Sequence, residues 1–139
     1  MAGSVSTEKK LETTITTMLY VRRSAAAVDF YMRAFGATPL MRLDNDDGGV
    51  VAHIAIGKGD FWVAEESPAH QNFSPESVGG NSMHPVLIVD DPHAVFQQAI
   101  EAGASSVCPV RDEEYGWRIG RLVDPFGHHW EIGRPLSER

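Results

Sequence analysis

From Thr14 the chain alternates strictly: Ile15, Thr17, Leu19 and Val21 fall on one face of a strand, and Thr14, Thr16, Met18 and Tyr20 on the other. The period then lengthens. Val28, Tyr31, Met32 and Phe35 recur at i, i+3, i+4 and i+7, the stripe of an amphipathic helix. Ser24 stands at the N-cap of that helix and Gly36 where a left-handed C′ residue belongs. Three strands follow, over 38–45, 50–57 and 60–65, and the turn sequences Asp46-Asp-Gly-Gly49 and Gly57-Lys-Gly59 separate them.

Residues 67–82 break every period. They hold Pro, Ala, Gln, Asn and a Gly-Gly pair, with Phe73 as their only aromatic, and read as a linker or mobile loop. The first pattern then returns. A strand over 83–90 leads into Asp91-Pro92, an N-cap followed by Pro at N1; Val95, Phe96, Ala99 and Ile100 line one helix face, and Gly103 ends it. Three more strands close the chain. The last two, over 117–124 and 128–133, fold back through Asp124-Pro-Phe-Gly127, where Asp suits position i of a tight turn, Pro i+1 and Gly i+3. Past that turn, alternation puts His129 and Glu131 on one face, Trp130 and Ile132 on the other.

The order is βαβββ twice. Leu19-Tyr-Val21 matches Leu87-Ile-Val89 at an offset of 89 − 21 = 68, and the helix ends at Gly36 and Gly103 match at 103 − 36 = 67. An α+β fold of two βαβββ modules is expected, over about 13–68 and 82–136, as one domain. The modules should form a curved mixed sheet around a shared cleft, with the helices outside and a disordered tail at 1–10.

Composition narrows the function. With 139 residues and 42% hydrophobic content, the chain buries a sizeable core. It has no apolar run long enough to cross a membrane and no leader pattern. A lone Cys108 fits a reducing cytoplasm. Nineteen acidic against twelve basic residues give a charge of −7, which disfavours a nucleic-acid partner and is compatible with cationic small ligands. Nucleophile elbow, phosphate loop, Cys-x-x-Cys pair and dinucleotide fingerprint are all absent.

The double module, Val28-Asp-Phe-Tyr-Met-Arg-Ala-Phe-Gly36, His53-Ile-Ala-Ile-Gly57 and Asp124-Pro-Phe-Gly-His-His-Trp130 together resemble the vicinal oxygen chelate superfamily. This group holds glyoxalase I, extradiol dioxygenases, fosfomycin-modifying enzymes and bleomycin-binding resistance proteins. The chain is most similar to its PhnB-like branch. The resemblance covers about 12–136 and is specific for the fold rather than the reaction. Metal-using members carry ligands on the first and fourth strands of each module, which by alignment implies Thr16, Val63, His84 and Glu131 here. Both repeat pairs, 84 − 16 and 131 − 63, differ by 68. His and Glu are good ligands for a divalent transition metal; Thr is weak and Val is none.

Two function classes follow from the resemblance. In the first, the protein binds or sequesters an aromatic or antibiotic-like compound, without a metal or other cofactor. Its cleft would be lined by Thr16, Met18, Tyr20, His53, Phe61, Val63, His84, Trp117 and Glu131, with the imidazoles as neutral hydrogen-bonding walls. In the second it is a metal-dependent lyase, isomerase or dioxygenase. His84 and Glu131 would be ligands, Glu131 the catalytic base, and His53 or His129 the completing group. The half-missing ligand set favours the first. Trp62 and Trp130 are expected in the core, Tyr115 beside Trp117 at the cleft mouth, and Glu65-Glu66 at a solvated strand end. Arg118 and Arg121 face either an anionic ligand or the excess acidic residues. His70, His93 and His128 are assigned no role. A cytoplasmic homodimer is expected.

Overall fold

The computed structural model describes residues 8–137. The expected tail over 1–10 lies mostly outside them, and 8–16 carry no helix or strand. The first module runs β1 (Thr17–Val21), α1 (Ser24–Phe35), β2 (Thr38–Asp44), β3 (Val50–Ile56) and β4 (Gly59–Glu65). A crossover holds a single 3₁₀ turn (Pro68–His70) and a one-turn helix, α2 (Pro75–Val78). The second module repeats the order with β5 (Val86–Ile88), α3 (Pro92–Ala102), β6 (Ser105–Asp112), β7 (Trp117–Val123) and β8 (His129–Pro135). Each module is one four-stranded mixed sheet, ordered β1-β4-β3-β2 and β5-β8-β7-β6. The β1–β4 and β5–β8 pairs are parallel and the rest antiparallel. This is the expected α+β pair of modules.

Local chemistry explains the element ends. Gly36 adopts φ 68°, and its N–H reaches Met32 O at 3.1 Å, closing α1 as only a residue tolerant of that conformation does cheaply. Asp91 accepts the Ala94 N–H at 3.2 Å and caps α3. Ser24 departs from expectation, because Arg23 occupies the N-cap without a side-chain bond. The Ser24 hydroxyl instead donates to Glu65 Oε1 at 2.6 Å and accepts the Val50 N–H at 2.8 Å, tying α1 to β4 and β3. β5 is shorter than its sequence pattern, since Pro85 has no N–H for the ladder; its carbonyl still accepts from Glu131 N at 3.0 Å.

The crossover is not a featureless loop. Ser74 caps α2 by accepting the Ser77 N–H, and Pro75 sits at N1. α1 and α3 meet each other, with Gln98 Nε2 donating to Arg33 O at 2.9 Å and Arg33 Nη1 to Ala102 O at 3.2 Å. One continuous core results, drawing Leu19, Val21 and Val63 from one sheet, Leu122, Trp130 and Ile132 from the other, and both helices. Tyr31 and Phe35 of α1 touch Trp130 of the second module, at ring separations of 5.4 and 4.8 Å. The opposite sheet faces stay open. Among the described residues no helix is long and apolar enough to cross a membrane.

Candidate functional site

Strand register decides which side chains reach the open faces. Leu19 pairs with Val63 in the first module, and the equivalent Leu87 pairs with Ile132 in the second. Val63 is therefore the counterpart of Ile132, and Trp62 that of Glu131. Val63 is fully buried and Phe61 nearly so, Phe61 stacking edge-on against Tyr31 and Trp130. Val63 therefore points into the core rather than to the open face, and Phe61 reaches only a smaller cavity of about 220 Å³ shared with Pro85 and Val86. Trp62 moves the other way. It lies half-buried on the open face and stacks flat on His53 at 4.4 Å, whereas Trp130 is core as expected.

The first module thus presents His53, Trp62 and Asp60 together, with His53 Nε2 3.1 Å from Asp60 Oδ2. Thr16 donates its hydroxyl to the Asp60 backbone carbonyl at 3.3 Å, and the Thr16 hydroxyl first, then His53, beside the Asp60 side chain hold its carboxyl below the ordinary range. Met18 and Tyr20, opposite Trp62 and Ala64, complete this face from β1.

The second module gathers His84, Arg121, His129 and Glu131. His84 Nδ1 lies 3.5 Å from Glu131 Oε2, and the rings of His84 and His129 stack at 5.3 Å. Arg121, across the ladder from Glu131, donates Nε–H to His129 Nδ1 at 3.1 Å. Burial first, then the charges of Arg121 and His84, push the His129 pKa down, so its ring is neutral at pH 7. Trp117 has the parity of Arg121 and sits at the far end of the same face, opposite Pro135.

Between the modules lies a cavity of about 360 Å³. Met18 and Tyr20 form its β1 wall, while Phe73, Val78 and Met83 close it from the crossover side. His84 and His128 are its imidazoles. His128 Nε2 lies 2.9 Å from Tyr20 O. A carbonyl only accepts, so Nε2 carries a proton and donates it. His128 carries no sequence signal for this role, since its partner lies on the other module. The crossover residues were equally hidden, because a wall made of a one-turn helix leaves no period to read.

Among the described residues the four implied ligand positions do not come together as a four-ligand set. His84 and Glu131 are together, but Thr16 is exposed and bonded to a backbone carbonyl, and the fourth position holds the indole of Trp62. His53 is engaged with Asp60 and Trp62 rather than with His84. Among the described residues no three His, Cys, Asp or Glu side chains converge as metal ligands would.

Known proteins share this sequence pattern and architecture. A sequence model of the Glyoxalase/Bleomycin resistance protein/Dioxygenase superfamily matches residues 14–132. The uncharacterized protein Mb0911c of Mycobacterium bovis is 37% identical over 133 residues, covering 92% of this chain and 87% of that one. The crystal structure of TioX from Micromonospora sp. ML1 superposes with a TM-score of 0.67 at 27% identity, covering 89% of this chain and all of its own. The Arabidopsis thaliana protein At5g48480 superposes with a TM-score of 0.66, also at 27% identity, over 89% of this chain and 98% of its own.

Proposed function

We propose that this chain, which belongs to the glyoxalase/bleomycin resistance protein/dioxygenase superfamily, is a cytoplasmic small-molecule-binding protein of the PhnB-like branch. It sequesters an aromatic or antibiotic-like compound without using a metal. The observation that carries this reading is the 360 Å³ cavity between β1 and the crossover. Its walls are aromatic and thioether side chains, with a few imidazole and amide groups to orient a ligand, which is the usual make-up of a small-molecule site. The resistance proteins in the family's description make an antibiotic-like ligand a natural class to test.

A homodimer belongs to the same reading. Leu40 and Leu43 on β2, and Val86 and Ile88 on β5, remain largely exposed in the single chain. Uncovered apolar residues on sheet edges and faces gain from a second copy. A thermal-shift screen of planar aromatics and antibiotics tests the binding. At about 100 times Kd, a ligand adds roughly 2.7 kcal/mol and raises Tm by several degrees. A screen in which no such compound moves Tm contradicts the proposal.

One observation favours a second reading, a metal-dependent enzyme: the imidazole of His84 and carboxylate of Glu131 share one face 3.5 Å apart. Elemental analysis of protein made without a histidine tag separates the two. The binding reading predicts substoichiometric metal; one Fe, Ni, Zn or Mn per chain, lost in His84→Ala or Glu131→Gln, supports the enzyme.

A further inference from the structure

Arg121 differs from its neighbours in what it lacks. Arg22, Arg23, Arg33, Arg42, Arg111, Arg118 and Arg134 each lie within 2.7–3.5 Å of a carboxylate. Among the described arginines Arg121 alone has no carboxylate partner, in a chain of net charge −7. Glu131 is directly across the ladder, yet its carboxylate turns to His84. Among the described residues the one hydrogen bond of Arg121 goes from Nε to His129, and neither Nη group has an acceptor there. A half-buried guanidinium in that state is a charge awaiting an acceptor.

Its surroundings are built to receive one. Arg121, His84 and His129 line a cavity of about 390 Å³, closed on the other side by Gly79, Gly80 and Asn81 of the crossover. Because His129 accepts from Arg121 at Nδ1, its neutral ring carries the remaining proton on Nε2 and is itself a donor. The carboxylate of Glu76, also on this wall, is 3.5 Å from Arg23. This cavity and the 360 Å³ apolar one share Pro75, Gly80, Asn81 and His84, so the two adjoin.

We propose that Arg121, held in place by His129, is an oxyanion anchor: it takes the carboxylate or phosphate group of a ligand whose apolar body fills the adjoining cavity. This rests on the small-molecule reading and names its ligand class, an amphipathic organic anion. Arg121 binds through its Nη groups, in the paired geometry that guanidinium makes with carboxylate and phosphate. His129 is a positioning residue that fixes the plane of the fork.

Calorimetric titration of the full chain with benzoate, phenyl phosphate, inorganic phosphate and the neutral benzamide tests this. Benzoate or phenyl phosphate should bind more tightly than benzamide, less so as ionic strength rises. Arg121→Gln should weaken the anions roughly tenfold or more while leaving benzamide within about twofold. Arg121→Lys, which keeps the charge, should recover part of the loss, and unliganded melting of each variant shows that the fold is intact. Benzamide binding as well as benzoate, or anion affinity unchanged in Arg121→Gln, overturns the anchor and leaves the small-molecule reading standing. Inorganic phosphate binding through Arg121 while no aromatic compound binds would leave a bare anion site, overturning both the amphipathic ligand and the reading it rests on. Silence from every probe overturns the anchor.

Discussion

Tyr31 donates its hydroxyl to Asp124 Oδ2 at 2.5 Å, joining α1 of the first module to the β7–β8 turn of the second. Asp124 is 4% exposed, and the indole N–H of Trp130 and the backbone N–H groups of Phe126 and His128 also converge on it. A buried carboxylate with four donors needs no cation. Removing either partner strands the others, so Tyr31→Phe should cost about 1.5–3 kcal/mol and Asp124→Ala more. A double-mutant cycle by chemical denaturation should find the two coupled; additive losses would show that the bond contributes little.

The same pair sets an alkaline limit. Burial, then the charge of Asp124 and its hydrogen bond, raise the Tyr31 pKa well above its ordinary value of 10.0. A group whose folded pKa is raised gives its full stability below the unfolded pKa and loses it as pH climbs above about 10. Unfolding free energy of the wild type should therefore fall beyond that pH more steeply than that of Tyr31→Phe. Parallel curves would exclude Tyr31 as the cause.

Glu66 sets the acid limit of the crossover. Its carboxylate accepts from Ser77 Oγ at 2.7 Å, Ser74 N at 2.9 Å and Arg22 Nε at 3.3 Å, which lowers its pKa to about 2. For a lowered carboxyl pKa, the contribution is present above the unfolded value near 4.5 and lost as pH falls toward 2. Limited proteolysis between Ser67 and Ser82 should accelerate over that window in the wild type. In Glu66→Gln it should already be fast at neutral pH; an unchanged rate would mean that other contacts hold the segment.

Much of this was legible in the chain, and the exceptions have physical causes. Asp124-Pro-Phe-Gly127 forms the expected turn, Gly127 at φ 94°, because each residue meets a backbone demand. The β8 face is legible because polar His129 and Glu131 alternate with apolar Trp130 and Ile132. Phe61-Trp-Val-Ala64 is apolar throughout and gives no parity, so a one-residue shift between the modules passed unseen and Val63 took the place of Trp62. Arg118 and Arg121 are indistinguishable in sequence; the fold pairs the first with Asp112 at 2.7 Å and the second with no carboxylate among the described residues.

The exposed Val86 and Ile88 should be covered by a second copy. Light scattering at micromolar concentration should return about twice the 15.2 kDa chain mass, and Val86→Lys with Ile88→Lys should halve it. A mass near 15.2 kDa for the unmodified chain would remove the dimer from the account.

The central claim is that the space between β1 and the crossover holds a small organic ligand, and calorimetry on the strongest aromatic compound from a thermal-shift screen tests it most directly. Wild type should be compared with Tyr20→Ala, which removes the β1 wall, and His84→Ala, which removes a group shared by the two adjoining cavities. Each deletion should raise Kd roughly tenfold or more, in line with one lost aromatic wall or hydrogen-bonding group, while the unliganded variants stay folded. Binding at wild-type affinity in both variants would place the ligand elsewhere and contradict the claim.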